Sequence, residues 1–269
     1  MAILPPPIDT VKAAFSSLKD IVFITAGGFK AVYKVSIGSK TEALKIIEVI
    51  TTAGASDEEK ELERTELRAR MNREVNVLKE MNIPELVKLG SMNLSPVNFN
   101  GKDYLAYTEE YINGSDLMKL IKASGPLPQE QELRTLFISL LKAIRALWAD
   151  GIVHRDIKPA NIMKTDNPSR PFILMDLGIA YAVNETGITN NTVNVPATIK
   201  YVAPEMLFRG FRSTIDYRSD LYTAALTTYE YAAFKHPLAR QTDDFQAAGQ
   251  PDRPVATPAS LHRRSRPGA

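Results

Sequence analysis

The 269-residue chain contains no cysteine. Disulfides, a thiolate nucleophile and thiolate-held metals are therefore excluded, and the composition suits a reducing compartment. No run reaches the ~18 apolar residues that a helix needs to cross a bilayer, so no membrane span is expected. Met1 to Pro7 has neither a charged start nor a long apolar run, which predicts no signal peptide. A dominant charge is lacking too. The net charge is +2, from 33 Lys+Arg against 31 Asp+Glu, too small a bias to imply a nucleic-acid partner. Tryptophan occurs once, Trp148, within an apolar helical stripe, where a core role is expected. There is no internal repeat. The 44% of hydrophobic residues suffices for a core, and the length suits one large domain or two small lobes.

Short apolar runs between glycine turns predict strands over Ile21–Ile24, Ala31–Val35 and Ala43–Ile47, joined at Gly27-Gly28 and Gly38-Ser39. A helix should start at Ser56, because Glu59 lies three residues on and completes a capping box, with Asp57, Glu58 and Glu59 at the positive end. Leu67, Met71, Val75 and Leu78 form its apolar face, and its charged first half reads as solvated surface. Asn100-Gly101 predicts a hairpin between Pro96–Phe99 and Lys102–Thr108. From Pro128 to Ala149 a wide stripe (Leu133, Leu136, Phe137, Leu140, Leu141, Ile144, Leu147, Trp148) predicts a helix ended by Gly151. A short apolar strand leads into Asp176, and Asp216 to Phe234 reads as a buried helix. Beyond Leu238 apolar periodicity stops. Residues 240–269, rich in Pro, Gly, Ser and Arg, are expected to be disordered.

The chemistry is concentrated in eight residues, His154-Arg155-Asp156-Ile157-Lys158-Pro159-Ala160-Asn161. A carboxylate at Asp156, a cation at Lys158 and an amide oxygen at Asn161 can together position a hydroxyl, neutralise a phosphate and hold a divalent metal. Ordinary turns also use His, Arg and Asp, but seldom as this whole string. Asp176-Leu177-Gly178 adds a second carboxylate downstream, and Ala203-Pro204-Glu205 and Ser219-Asp220-Leu221-Tyr222 follow. Asp-x-Gly alone is a common turn; its place in this series is what marks it.

This series resembles the signature of Hanks-type serine/threonine protein kinases: H-R-D-x-x-x-x-N, then D-F-G with Leu for Phe, then A-P-E. The likeness runs from about Ile21 to Leu238. It implies an α+β, two-lobe fold: a small antiparallel sheet plus one helix, then a larger, mostly helical lobe that here lacks its final helices. Residues 1–20 would be an N-terminal extension, 21–112 the N-lobe, 113–239 the C-lobe and 240–269 a tail. It further implies roles. Lys45 binds the α- and β-phosphates of ATP, and Glu74 holds Lys45. Asp156 orients the substrate hydroxyl and Lys158 is the serine/threonine form of the loop. Asn161 and Asp176 ligate Mg²⁺ or Mn²⁺. Gly27 and Gly28 cover the phosphates. Val32, Ala43 and Met163 enclose the adenine, which backbone groups of Glu110 and Ile112 would bind; plain core packing is the other reading of these apolar residues. His154 is structural. Arg155 implies regulation by phosphate on Thr186, Thr189 or Thr192, against a bland surface loop, and Thr198 lines the substrate site. Partners are proteins bearing Ser or Thr, with no nucleic acid and no membrane span, in the cytoplasm.

Three features depart from the pattern. The glycine loop falls on Thr25-Ala26-Gly27-Gly28-Phe29-Lys30, keeping one glycine in register; Lys30 would either touch a phosphate or remain a solvated surface lysine. The gatekeeper position falls on Glu109, or on Thr108 if the register slips, and a buried Glu109 requires a partner. The arginine expected to pair with Glu205 has no clear candidate, since Arg263, Arg264 and Arg266 lie in the tail, and a partner protein would cover the short lobe. These features leave an autophosphorylating protein kinase as the leading reading. A pseudokinase serving as a nucleotide-binding or regulatory module is the alternative, and a small-molecule kinase the third.

Overall fold

A computed structural model describes residues 4–177, 181–182, 199–207 and 215–238. Helix α1 (Ile8–Ala14) precedes a run of three antiparallel strands, β1 (Lys19–Gly27), β2 (Lys30–Ile37) and β3 (Lys40–Glu48). Strand β1 thus begins two residues before the sequence boundary, and the segment ahead of it is folded. Val11 of α1 is fully buried against the sheet, and the Tyr33 hydroxyl donates to the Pro6 carbonyl oxygen. Helix α2 (Asp57–Glu80) opens on the expected capping box, with the Ser56 Oγ accepting from the Glu59 N–H and the Glu59 carboxylate from the Ser56 N–H. Met71, Val75 and Leu78 are buried and Leu67 packs beside them. The hairpin of β4 (Ser95–Phe99) and β5 (Lys102–Glu110) turns at Asn100-Gly101, both at positive φ (52° and 80°), as the tight Asn-Gly turn requires. The sheet order is β1-β2-β3-β5-β4.

Strand β6 (Gly114–Asp116) then leads into α3 (Leu117–Ala123), which the Asp116 carboxylate caps, and α4 (Glu130–Ala149) follows. In α4 Leu136, Leu140, Ile144 and Leu147 are buried as the stripe predicts. Leu141, by contrast, faces solvent, and Trp148 is half-buried against the Tyr217 ring, 5.4 Å between centroids. Gly151 (φ 69°) ends the helix and donates to the Trp148 carbonyl oxygen. Strands β7 (Ile152–Val153), β8 (Ile162–Thr165) and β9 (Phe172–Leu174) bracket the motif loop, with a small sheet ordered β6-β8-β9. Strand β10 (Tyr181–Ala182) pairs with β7, and α5 (Pro204–Leu207) and α6 (Tyr217–Ala233) complete the described elements. The fold is therefore α+β: an antiparallel sheet with its helix, then a helical lobe. One hydrophobic cluster runs from α2 through α3, α4, β8 and β9 to α6. Among the described residues no helix is long and apolar enough to cross a membrane. The expected disorder of 240–269 concerns residues outside those described.

Candidate active site

Side chains directly opposite on antiparallel strands share a face, and so do residues two apart. Val32 pairs with Lys45, Ala43 with Glu109, and Lys45 with Tyr107. One face of the sheet thus carries Lys30, Val32, Ala43, Lys45, Tyr107 and Glu109. Val32, Ala43, Ile112 and Met163, expected around the adenine, are each half-buried. The Glu110 N–H donates to the Lys88 carbonyl oxygen, 3.0 Å, so an adenine contact from Glu110 must use its carbonyl. Gly28 adopts φ 57° at the β1–β2 turn, and neither Gly27 nor Gly28 has an atom within 4 Å of where a Cβ would stand. The turn is open, as an approach to a phosphate needs.

Lys45 is 5% exposed and surrounded by carboxylates. Its ammonium donates to Glu109 and lies 3.7 Å from Glu74 Oε1 and 3.7 Å from Asp176 Oδ1. The expected Lys45–Glu74 pair is present, yet the nearest partner is Glu109, itself 2% exposed. Of the two gatekeeper candidates, Glu109 faces Lys45, and Lys45 is the partner that its burial requires. Thr108 lies on the opposite face, where its Oγ1 accepts from the Met92 N–H, 2.9 Å. Glu74 accepts a hydroxyl bond from Tyr107, 2.7 Å. Burial works against the charge on Lys45, but Glu109, Asp176 and Glu74 outweigh it and raise its pKa. Burial pushes the Glu74 carboxyl up against the pull of Lys45. For Asp176, burial is overcome by the Lys30 and Lys45 charges, which hold the carboxyl well below its usual range.

Lys30 corrects one expectation. It is no solvated lysine: its ammonium is ion-paired with Asp176, and its side chain is 24% exposed. The signal was in the sequence, since counting by twos from Val32 places Lys30 on the Lys45 face.

The motif loop is held from beneath. Asp220 at the start of α6 is 1% exposed, and its carboxylate accepts from the His154 N–H (2.7 Å) and the Arg155 N–H (2.8 Å). Burial raises its pKa, with His154 and these donors opposing. His154 is fully buried; its Nε2 bonds the Met175 carbonyl oxygen, 3.2 Å, and its Nδ1 accepts from the Asp156 N–H, so both ring nitrogens are engaged by backbone. Lys158 Nζ reaches both Asp156 carboxylate oxygens at 2.8 and 2.7 Å. The Asn161 amide donates to the Asp156 carbonyl and to Oδ2, each 2.8 Å, which turns its own oxygen away from Asp156. The Met175 N–H donates to the Asn161 carbonyl oxygen, 2.8 Å, tying the strand before Asp176 to Asn161. No cluster of three His, Asp or Glu suited to a metal exists among the described residues. The donor set of Asn161 oxygen and Asp176 carboxylate nonetheless fits a hard cation of the Mg²⁺ type, which takes one or two protein oxygens and completes its shell with phosphate and water.

Sequence reasoning missed the clamp on the segment leading to Ile112. The Arg170 guanidinium grips the Glu110 carboxylate at 2.7 and 2.6 Å and also donates to the Pro84 (2.9 Å) and Leu86 (3.0 Å) carbonyls. Among the described residues, Glu205 accepts from the Ser219 hydroxyl. Gly178, Thr186, Thr189, Thr192 and Thr198, like Arg263, Arg264 and Arg266, lie outside the described residues.

The sequence profile of the protein kinase domain matches residues 19–260. A probable serine/threonine-protein kinase PknB of Bifidobacterium longum is 34% identical over 196 residues, 71% of this chain and 27% of that protein. The probable serine/threonine-protein kinase SCO3848 of Streptomyces coelicolor is 34% identical over 208 residues, 75% of this chain and 27% of its own length. Mycobacterium leprae PknB is 29% identical over 169 residues, covering 63% and 26%. The chain thus spans roughly a quarter of these relatives. Among solved structures, Rad53 1-466 in complex with AMP-PNP superposes with a TM-score of 0.60 at 24% identity, covering 86% of this chain and 52% of that one, a likeness of fold.

Proposed function

The chain belongs to the protein kinase family, and on that premise we propose that it transfers the γ-phosphate of ATP to serine and threonine hydroxyls of a protein, itself included. The observation that carries the reading is the Asp156 carboxylate, fixed by Lys158 and Asn161, on a loop bonded through Met175 to the segment that carries Asp176. Phosphoryl transfer depends on positioning and charge rather than on covalent chemistry by the protein.

In this reading Asp156 orients the acceptor hydroxyl and takes its proton, while Lys158 balances charge on the moving phosphoryl group. Asn161 and Asp176 would hold a divalent ion, which when bound neutralises the phosphate oxygens. Lys45, steadied by Glu74, meets the α- and β-phosphates under the Gly27-Gly28 turn. Val32, Ala43 and Met163 enclose the adenine, with backbone groups of Glu110 and Ile112 along its edge. The proposal extends to lobes at 21–112 and 113–239, to cytoplasmic action where ATP is available, and to phosphate on Thr186, Thr189 or Thr192 engaging Arg155. A pseudokinase is not favoured, because every charged group of the reaction is present.

Purified protein is incubated with radiolabelled ATP, Mg²⁺ and a generic basic protein. Incorporation is expected in the wild type and should fall about 10²–10⁴-fold in Asp156→Ala. Equal incorporation in both proteins rules the assignment out. Mass spectrometry of the wild type locates the self-modified threonines.

A further inference from the structure

The geometry points to Lys30 as a second phosphate-binding cation, whose work is coupled to Glu109; this rests on the nucleotide site proposed above. Lys45 is overcommitted. One ammonium faces Glu109 in direct contact, with Glu74 and Asp176 each at 3.7 Å. Glu109 is the extra anion, standing on the face that the phosphates must approach. Without Lys30 the cluster would set a single cation against three carboxylates and then receive a polyanion, which Coulomb repulsion in a partly desolvated site opposes. Lys30 supplies the missing charge from the adjacent strand, on the same face, immediately beyond the Gly27-Gly28-Phe29 turn.

The contact that Lys30 makes is also the one that metal must break. Its ammonium is paired with the Asp176 carboxylate, one of the two oxygen donors that fit a divalent cation. Once a cation takes that carboxylate, Lys30 loses its partner beside the incoming phosphates. A four-carbon stem carries the ammonium across such a step without backbone movement. Lys30 therefore guards Asp176 in the absence of nucleotide and binds a phosphate oxygen in its presence. Lys45 remains partly neutralised by Glu109.

The coupling makes a double-mutant cycle the decisive measurement. Binding of ADP with Mg²⁺ is measured by titration calorimetry on the wild type, Lys30→Met, Glu109→Thr and the double variant, each checked for an intact melting transition. Losing one charge-assisted contact should weaken ADP binding about 10–100-fold in Lys30→Met. The same change in the Glu109→Thr background should cost less than about 3-fold, because Lys45 is then free for the phosphates. Lys30→Arg, which keeps the charge, should bind ADP within about 5-fold of the wild type. Equal losses from Lys30→Met in both backgrounds, or no loss in either, overturn the inference. ADP binding that Lys30 does not influence leaves the nucleotide site standing, whereas a wild type that binds no ADP removes both.

Discussion

Replacing Arg170 by methionine removes a cation that fastens the segment leading to Ile112. Its guanidinium makes two bonds to the Glu110 carboxylate and one each to the Pro84 and Leu86 carbonyls. The Arg170 and Glu110 side chains are 18% and 26% exposed, so the pair is neither dry nor freely solvated. A bond to a charged partner nets about 1.5–3 kcal/mol when shielded, but partial exposure discounts this, and about 3 kcal/mol for the whole set is a reasonable sum. For a domain of this size that corresponds to about 6–12 °C in Tm. Arg170→Lys should recover little, because a single ammonium lacks the fork of donors that serves the Glu110 carboxylate and the Pro84 and Leu86 carbonyls together. Differential scanning calorimetry gives the shift. A cycle with Glu110→Gln should isolate a coupling of about 1–2 kcal/mol. The KM for ATP should rise more than kcat falls, since in the proposed reading the segment meets adenine rather than the reacting atoms. An Arg170→Met protein melting within about 1 °C of the wild type, with no coupling to Glu110, refutes the reasoning.

Asp176→Ala should abolish the Mg²⁺-dependent part of the thermal shift given by ATP; an unchanged metal-dependent shift would show that Asp176 does not hold the ion. Gly114→Ala should destabilise by about 1–3 kcal/mol, because a Cβ there falls on the Lys164 carbonyl oxygen of the paired strand; a denaturant midpoint equal to the wild type would contradict the close approach. Burial, with Tyr104 adding to it, pushes the Tyr33 pKa from 10.0 up to about 12. The folded value exceeds the unfolded one, so this stabilisation is complete below about pH 10 and is lost as pH rises towards 12. Urea midpoints of Tyr33→Phe over that interval should fall with a slope smaller by up to about 1.4 kcal/mol per pH unit, and parallel curves would exclude the assignment.

What the sequence disclosed was local in origin. Ser56 and Glu59 are three residues apart, and Asn100-Gly101 selects its own turn, so capping and hairpin were readable without tertiary knowledge. The stripe of α4 was readable for the same reason, except at its rim. There Leu141 and Trp148 depend on what packs opposite rather than on period. The motif loop was legible because its function is concentrated in eight contiguous residues. Long-range charge was not legible. Arg170 lies 60 positions from Glu110, and Lys45 lies 64 from Glu109; no periodicity links such pairs. The apolar run of β9 was readable before Asp176, whereas short α3 and the three- and four-residue strands β6 and β8 were missed because so few residues carry too weak a pattern.

The two backbone outliers beside the chemistry complete the physical account. Arg155 and Asp176 adopt φ of 67° and 69°, a region that costs a non-glycine residue about 1–3 kcal/mol. Such strain persists only where surrounding bonds over-determine it. Here they do: Asp220 accepts the N–H groups of His154 and Arg155, His154 bonds the Met175 carbonyl, and the Met175 N–H bonds Asn161. The chain of bonds runs from a buried carboxylate in α6, through both strained positions, to the two metal-type oxygen donors. The strain at Arg155 and that at Asp176 are thus not separate defects. One buried anion fixes the turn that aims Asp156, and the same histidine fixes the turn that aims Asp176. Their relative placement follows from the bonds that join Asp220, His154, Met175 and Asn161.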